Sequence, residues 1–202
     1  MSVTLYLEGA ATGPDSKESK IRCREGFRKL LEKCGFKERM PRLFASGPRS
    51  FAFDDFKTAI ANMQSGDFIA MWIDSEDPVE NLNATWEHLK KRDGWDKPKG
   101  ANDDQVLFMT TCMETLIIAD RSALAQHYQK LQDSALPPVE GLETRRRQDT
   151  QESLFKATRD CTNAYRKTKR SFEVLSKLDP DTLARHLPSF ARTRRILQQN
   201  LK

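Results

Sequence analysis

The chain has 202 residues, 31% of them charged, with a formal net charge of +5 and four cysteines. This length fits one domain of ordinary size with room for an appended segment, and the composition is that of a globular protein. No apolar run approaches the roughly 20 residues that cross a bilayer, and the first residues lack the pattern of a signal peptide. The sequence therefore predicts a cytoplasmic protein without membrane association.

The cysteines and histidines do not form a recognisable metal or disulfide motif. The cysteines lie at positions 23, 34, 112 and 161, and the three histidines are equally scattered. This spacing argues against a zinc knuckle and against a disulfide framework. Any metal in this protein would be held by oxygen ligands.

The first two thirds of the chain alternate between strand and helix patterns. "SVTLYLEG" predicts a strand that ends at Glu8, and apolar residues at helical spacing follow from Ser19 to Cys34. "PRLFASGP", "DFIAMWI" and "QVLFM" predict further strands, separated by helical patterns near residues 53–63 and 84–92. "CMETLIIAD" fits either a strand or a helix. This order predicts an α/β fold, a largely parallel sheet flanked by helices.

After "SALPPVEG" the strand patterns stop and the charge changes sign. Residues 141–202 contain 15 Lys and Arg against 7 Asp and Glu. Three helical segments follow, "TQESLFKATRDCTNAYRKTKRSFEVLSKL", "DPDTLARHL" and "PSFARTRRILQQNLK". We therefore predict an α/β domain over residues 1–135 and a basic α-helical extension over 141–202 packed on it, which indicates a polyanion or an acidic protein surface as partner.

Acidic residues follow two of the predicted strands. Glu8 ends the first strand, and Asp74, Glu76 and Asp77 follow "DFIAMWI". Ligands of open α/β sheets collect at the carboxyl ends of the strands, and carboxylates about 4 Å apart repel by roughly 4 kcal/mol at an effective dielectric near 20. A divalent cation is the usual compensation, so we predict that all four residues bind Mg²⁺, or Mn²⁺ in its place, and that Glu8, Asp74 and Glu76 are catalytic.

An ordinary structural role is the alternative for these acids. "SEDP" ahead of "VENLNATWEHL" also fits helix capping and a solvated turn. The metal hypothesis requires that Glu8 lie beside Asp74 and Glu76, and that no lysine or arginine take the place of the cation between them.

Six ordered segments resemble a bacterial family of unknown function, domain-of-unknown-function 4276. They are "LYLEGAATGPDS", "FDDFKTAIAN", "WIDSEDPV", "WEHLKKRDGW", "DDQVLFMTTCMETLIIAD" and "RKTKRSFEVLSKLDP". That family is grouped with the TOPRIM-like domains of topoisomerases, DnaG-type primases and OLD-type nucleases. The resemblance implies a TOPRIM-like fold in which Glu8 supplies the first acid and Asp74 and Glu76 an acid-x-acid pair that binds Mg²⁺.

Further residues are candidates for supporting roles. Asp104 and Glu114 are predicted to lie behind the metal ligands, although a structural ion pair is the alternative for Glu114. Trp95 and Lys97 share a Gly/Pro-containing loop where an aromatic ring could stack on a base. For nucleic-acid or partner contact the tail offers Tyr165, Lys167, Arg170, Arg192 and Arg195, and a triple arginine at 145–147 precedes its first helix.

These features favour a Mg²⁺-dependent nuclease or phosphoryl-transfer subunit of TOPRIM type that acts on DNA or RNA. The chain has no GxxxxGK[ST] motif, so ATP dependence would come from another protein. OLD-type systems pair a TOPRIM domain with an ABC-type ATPase, and the resemblance therefore implies such a partner, within an anti-phage defence system. Two alternatives remain open, a non-catalytic TOPRIM-like docking subunit that binds nucleic acid or an ATPase, and hydrolysis of a small phosphate ester. An oligomer is compatible with each of them.

Overall fold

The computed structural model describes residues 2–9, 13, 16–167 and 170–202. Within these ranges the chain forms a sheet of four parallel strands in the order β2-β1-β3-β4. The strands are β1 (Val3–Glu8), β2 (Arg42–Gly47), β3 (Phe68–Asp74) and β4 (Val106–Met109). This confirms the predicted α/β class, with a parallel sheet, flanking helices and helices at the C-terminus.

Helices follow each strand and make up the rest of the fold. Their bounds are α1 (Ser16–Leu31), α2 (Arg49–Ala61), α3 (Thr85–Asp93), α4 (Met113–Ala119), α5 (Arg121–His127), α6 (Arg147–Thr158), α7 (Ser171–Leu175), α8 (Pro180–His186) and α9 (Pro188–Asn200). The segment that fitted either a strand or a helix is helix α4, and it is buried along its whole length.

The sheet has a separate core on each face. Successive side chains of a strand point to opposite faces, so Ala70 and Trp72 of β3 enter one core, with α1, α4 and the C-terminal helices. Met71 and Ile73 enter the other core, with α2 and α3. Because β3 is buried on both faces, its sequence is a continuous apolar run up to the acid at its end.

The register of the strands brings their carboxyl ends together. Leu7 of β1 pairs with Trp72 of β3, and Asp74 pairs with Met109 of β4. The last residues of β1 and β3 therefore lie at the same edge of the sheet on adjacent strands. This is the edge at which α/β proteins bind ligands.

The C-terminal segment is less regular than its sequence pattern predicts. The helical pattern continues from residue 150 to 178, but α6 ends at Thr158 and α7 begins at Ser171. The hydroxyl of Thr158 accepts a hydrogen bond from the backbone N–H of Tyr165 (3.0 Å), and this bond stabilises the break. Tyr165 is thereby turned into the core, which is shared by β1, α1 and the helices from α6 onward.

The four cysteines are buried thiols. Within the described ranges, none of the helices has both the length and the apolar character needed to span a bilayer.

Candidate functional site

Three carboxylates converge at the carboxyl edge of the sheet. Glu8 is the last residue of β1, Asp74 is the last residue of β3, and Glu76 follows two residues later. One oxygen from each lies within 4.8 Å of the other two. The structure thus brings together the residues that the sequence placed at the ends of two separate strands.

Backbone hydrogen bonds orient two of these carboxylates. Oε2 of Glu8 accepts from the N–H of Asp74 (2.9 Å), and Oδ1 of Asp74 accepts from the N–H of Met113 at the start of α4 (2.9 Å). Oε1 of Glu8 has no hydrogen-bond donor among the described residues. One oxygen of the Glu8 carboxylate is therefore fixed by the backbone of the neighbouring strand.

The backbone after β3 places Glu76. Ser75 and Glu76 continue the pairing with the chain after β4, through Ser75 N to Met109 O (3.1 Å) and Glu76 N to Thr111 O (2.8 Å). Glu76 has a φ of 70°, in the left-handed region that residues other than glycine rarely adopt. Such a conformation costs on the order of 1–3 kcal/mol and persists where surrounding contacts impose it. The two backbone bonds impose it here.

The environment disfavours the charged forms of the two buried acids. Burial raises the pKa of Glu8, against the lowering effects of the Asp74 N–H, Arg49, Arg147 and Lys167. Burial raises the pKa of Asp74 well above its usual value, and the charges of Glu8 and Glu114 raise it further. The nearby cations therefore offset only part of the cost of placing these carboxylates together.

Two arginines reach the same cluster. Arg147, the first residue of α6, contacts the Glu76 carboxylate through Nη1, and its Nη2 lies 3.6 Å from Oδ2 of Asp74. Arg92 lies 3.5 Å from Oε2 of Glu76 and 3.1 Å from Oδ2 of Asp77. The site thus meets the first requirement of the metal hypothesis, the proximity of Glu8. It does not meet the second, because the guanidinium of Arg147 lies against two of the three carboxylates.

A third buried carboxylate, that of Glu114, lies near the cluster. Glu114 in α4 is 1% exposed, and its Oε1 accepts a hydrogen bond from the hydroxyl of Tyr165 (2.7 Å). Gln151 of α6 donates to Oε2 (3.2 Å). Glu114 is near enough to Asp74 to raise its pKa, and its supporting role in the site stays a prediction. Tyr165 is buried against Glu114, which corrects its assignment as a contact for nucleic acid or a partner.

Arg49, the first residue of α2, contacts both the end of β3 and the end of α3. Its Nε donates to the carbonyl oxygen of Asp74 (2.8 Å), and its Nη1 lies 2.6 Å from Asp93. Its guanidinium also lies over the ring of Trp95, 4.5 Å from the centroid, and Trp95 stacks on Phe53 at 4.1 Å. Trp95 is thus held by packing, which corrects its assignment as a stacking surface for a base, while Lys97 beside it is exposed.

Two of the predicted acids lie elsewhere. The carboxylate of Asp77 accepts a hydrogen bond from Nε of Arg92, and Asp77 is not part of the three-carboxylate cluster. Asp104 precedes β4, and the strand from Val106 to Met109 spans about 10 Å at a rise of about 3.3 Å per residue, so Asp104 lies at the opposite end of β4 from Met109. Asp104 pairs instead with Arg192 (3.1 Å). Its assignment behind the metal ligands is therefore wrong.

The basic residues of the tail divide into buried and accessible ones. Arg192 is 8% exposed and donates to the carbonyl oxygens of Val106 (2.9 Å) and Asp103 (2.8 Å), so it joins α9 to the edge of the sheet. This corrects its assignment as a phosphate contact. Lys167 and Arg195 are exposed, and Arg170 is half-buried. Lys167 is near enough to the carboxylates to lower the pKa of Glu8 and Asp74.

Sequence patterns contain little sign of the three arginines around the site. Arg92 lies in a helical pattern, where a basic residue usually indicates a solvated face, and Arg49 lies in the turn that follows a predicted strand. Arg147 belongs to the triple arginine that we predicted to precede the first helix of the tail, whereas it is the first residue of α6. A lone arginine carries no pattern that reveals a partner many residues away.

The fold and the site define an α/β protein with a carboxylate cluster at the carboxyl edge of a parallel sheet. The sequence profile of DUF4276, described as a domain of unknown function, matches residues 18–198, and the chain belongs to this family. The match covers Asp74, Glu76 and Arg147, whereas Glu8 precedes it. Neither the curated proteins nor the solved structures contain a match to the chain.

Proposed function

We propose that this protein is a Mg²⁺-dependent, TOPRIM-like nuclease or phosphoryl-transfer subunit that acts on nucleic acid. The observation that carries the proposal is the convergence of Glu8, Asp74 and Glu76, whose oxygens lie within 4.8 Å of one another at the edge where α/β sheets bind ligands. The resemblance to TOPRIM-like domains assigns an acid and an acid-x-acid pair to these same three positions.

The donor set fits a small, hard cation. Mg²⁺ prefers one or two carboxylates and completes its coordination with water and phosphate oxygens. Asp74 and Glu76 would hold the ion, and Glu8 would either hold a second ion or handle a proton. Burial raises the pKa of Glu8 and of Asp74 in spite of the surrounding cations, and the charges of Glu8 and Glu114 add to the rise at Asp74, so a bound cation would favour the charged forms of both groups. When bound, Mg²⁺ stabilises negative charge that develops on a phosphate.

Glu8 is the candidate general base for hydrolysis. Oε2 is bound by the Asp74 N–H, so Oε1 is the atom that can accept a proton from the attacking water. The water oxygen forms a bond to phosphorus, its proton passes to Glu8, and the bond from phosphorus to the leaving sugar oxygen breaks. That oxygen then takes a proton from solvent. A carboxylate with a raised pKa is the stronger base for this transfer.

Exposed basic residues would bind the phosphates of the substrate. Lys167 lies near Glu8 and Asp74. Lys97 and Arg195 are also exposed, and Arg195 lies one helical turn from Arg192, which is bound at the start of β4. Contacts of this kind bind phosphates without reading sequence and weaken as salt increases. We further propose a separately encoded ABC-type ATPase as partner, in a cytoplasmic anti-phage system, by analogy with OLD-type nucleases.

A non-catalytic docking subunit is the second candidate. The observation that favours it is the contact of Arg147 with Glu76 and Asp74, which supplies a positive charge without any metal. In this alternative the cluster is a structural ion-pair network, and the exposed basic surface binds nucleic acid or the ATPase.

A cleavage assay separates the two candidates. Purified protein is incubated with single- and double-stranded DNA and RNA in Mg²⁺, Mn²⁺ or EDTA, alone and with a candidate ABC-type ATPase from the same genome. The nuclease proposal predicts metal-dependent cleavage that Asp74→Asn and Glu8→Gln abolish. The control Glu80→Gln removes the same charge from an exposed position and should retain activity. Salt-sensitive binding without turnover in any metal would instead identify the docking subunit.

A further inference from the structure

Arg147 has an unusual position for a surface arginine. It is the first residue of α6, where the helix dipole disfavours a positive charge. Its side chain nevertheless points to the carboxylate cluster and is 27% exposed. Among the described residues its ion pairs are to Glu76 and Asp74, both members of that cluster. The guanidinium is therefore held by the same groups that would hold a metal.

Apart from these two carboxylates, the described residues provide the Arg147 guanidinium with no further ion pair. Nε of Arg147 is buried and lacks a hydrogen-bond partner among the described residues. Arg92, by comparison, also contacts Asp77 and Asp93, so it keeps partners when Glu76 is engaged elsewhere. Arg147 would lose both of its carboxylates at once.

The backbone that carries Arg147 is firmly attached. The carbonyl oxygen of Arg145 accepts from the hydroxyl of Thr111 (3.3 Å), and Gln151, one turn further on, donates to Glu114. Leu154 of α6 is fully buried. A movement of Arg147 away from the cluster therefore needs only side-chain rotation toward solvent, with the helix left in place.

From these contacts we propose that Arg147 competes with a divalent cation for Glu76 and Asp74, and thereby sets the metal affinity of the site. This inference rests on the proposed function. Binding of the ion displaces the guanidinium, so part of the binding free energy is spent on breaking the contacts of Arg147 with the two carboxylates. A variant without this guanidinium should bind the metal more tightly.

The test measures Mn²⁺ affinity by titration calorimetry or electron paramagnetic resonance. Hydrogen bonds to charged groups are strong enough that Arg147→Gln should lower the Mn²⁺ dissociation constant by about tenfold or more. Arg146→Gln is the matched control, because it removes the same charge from the adjacent, exposed residue and should change the constant by less than about threefold. Equal affinities in these two variants, or weaker binding in Arg147→Gln, would overturn the inference.

Further variants separate this inference from the proposed function. If Mn²⁺ does not bind the wild type, Arg147→Gln or Arg147→Lys, the metal site itself is wrong. If Mn²⁺ binds the wild type and is lost in Glu8→Gln, but Arg147→Gln binds equally well, only the competition is wrong. Arg147→Lys keeps the charge and cannot span both carboxylates, so it should give an intermediate constant. It also provides the comparison if Arg147→Gln does not fold.

Discussion

Replacing Glu8 by glutamine should stabilise the protein in EDTA and remove its response to metal. The new side chain can keep the hydrogen bond from the Asp74 N–H, because an amide oxygen can take the place of Oε2. The substitution removes one of the three converging negative charges. Arg49 keeps its ion pair with Asp93, and Arg147 keeps its ion pair with Glu76, so the substitution does not leave a buried cation without a partner.

The size of the effect follows from the spacing of the cluster. Two charges within 4.8 Å repel by at least about 3.5 kcal/mol at an effective dielectric of 20. Arg49, Arg147 and Lys167 offset part of this, and the pKa of Glu8 is nevertheless raised, because burial outweighs these cations and the hydrogen bond from the Asp74 N–H. We expect a net gain of about 1–2 kcal/mol, typical of a functional residue that costs stability. For a chain of this length that corresponds to a Tm roughly 2–8 °C higher.

In Mn²⁺ the wild type should be more stable than Glu8→Gln, which is the reverse of their order in EDTA. A ligand at 100 times its dissociation constant adds about 2.7 kcal/mol to the stability of a protein that binds it. The wild type should gain this amount, whereas Glu8→Gln should gain little. Thermal unfolding of both, in EDTA and at increasing Mn²⁺, measures the effect, with Glu80→Gln as the exposed control. Parallel curves for the wild type and Glu8→Gln at every Mn²⁺ concentration would refute the reasoning.

Three further predictions concern the surroundings of the site and the rest of the fold. Tyr165→Phe removes the hydroxyl that donates to buried Glu114 and should lower the free energy of unfolding in urea by about 1.5–3 kcal/mol; an unchanged value would show that the bond is not formed. Arg192→Met should lower the free energy of unfolding by about 2–4 kcal/mol, and the folded fraction should bind nucleic acid as the wild type does. Weaker binding by a variant of unchanged stability would instead show that Arg192 contacts phosphate. Burial, followed by the charge of Lys177, lowers the pKa of His127 below its usual 6.5, so the unfolded chain binds the proton more readily. The contribution of His127 to stability should be complete above pH 6.5 and be lost as the pH decreases from there through the folded-state pKa. In His127→Gln the free energy of unfolding in urea should depend less on pH between about pH 5 and 8. If it falls as steeply in the variant as in the wild type, a group other than His127 causes the fall.

The sequence could reveal the fold class and the acids because both depend on local pattern. A strand buried on both faces must be apolar throughout, so the change to Asp74 marks the end of β3 at the edge of the sheet. The same logic identified Glu8 at the end of β1. Applied consistently, it would also have excluded Asp104, because an acid that precedes a parallel strand lies at the opposite edge.

The arginines could not be assigned in this way, because their partners are distant in the chain. Arg147 is 71 residues from Glu76, and Arg192 is 86 residues from Val106. A basic residue on a helix has the same sequence pattern whether its face meets solvent or the edge of a sheet. Long side chains also bury their stems while their charged ends find oxygen atoms. Only the packing of α6 and α9 decides between these outcomes.

The pairing of Arg147 therefore separates the two candidate functions more sharply than the fold does. An arginine that belongs permanently to Glu76 and Asp74 stabilises a structural network, and its loss would leave buried carboxylates uncompensated at every metal concentration. An arginine that a metal displaces stabilises the protein only while the metal is absent. Arg147→Gln should then be less stable than the wild type in EDTA and recover that stability in Mn²⁺, since the cation replaces the charge that the substitution removed. Stabilisation of both the wild type and Arg147→Gln by the ion would support a metal site, whereas stabilisation of the variant alone would show that the ion only fills the place of a structural arginine.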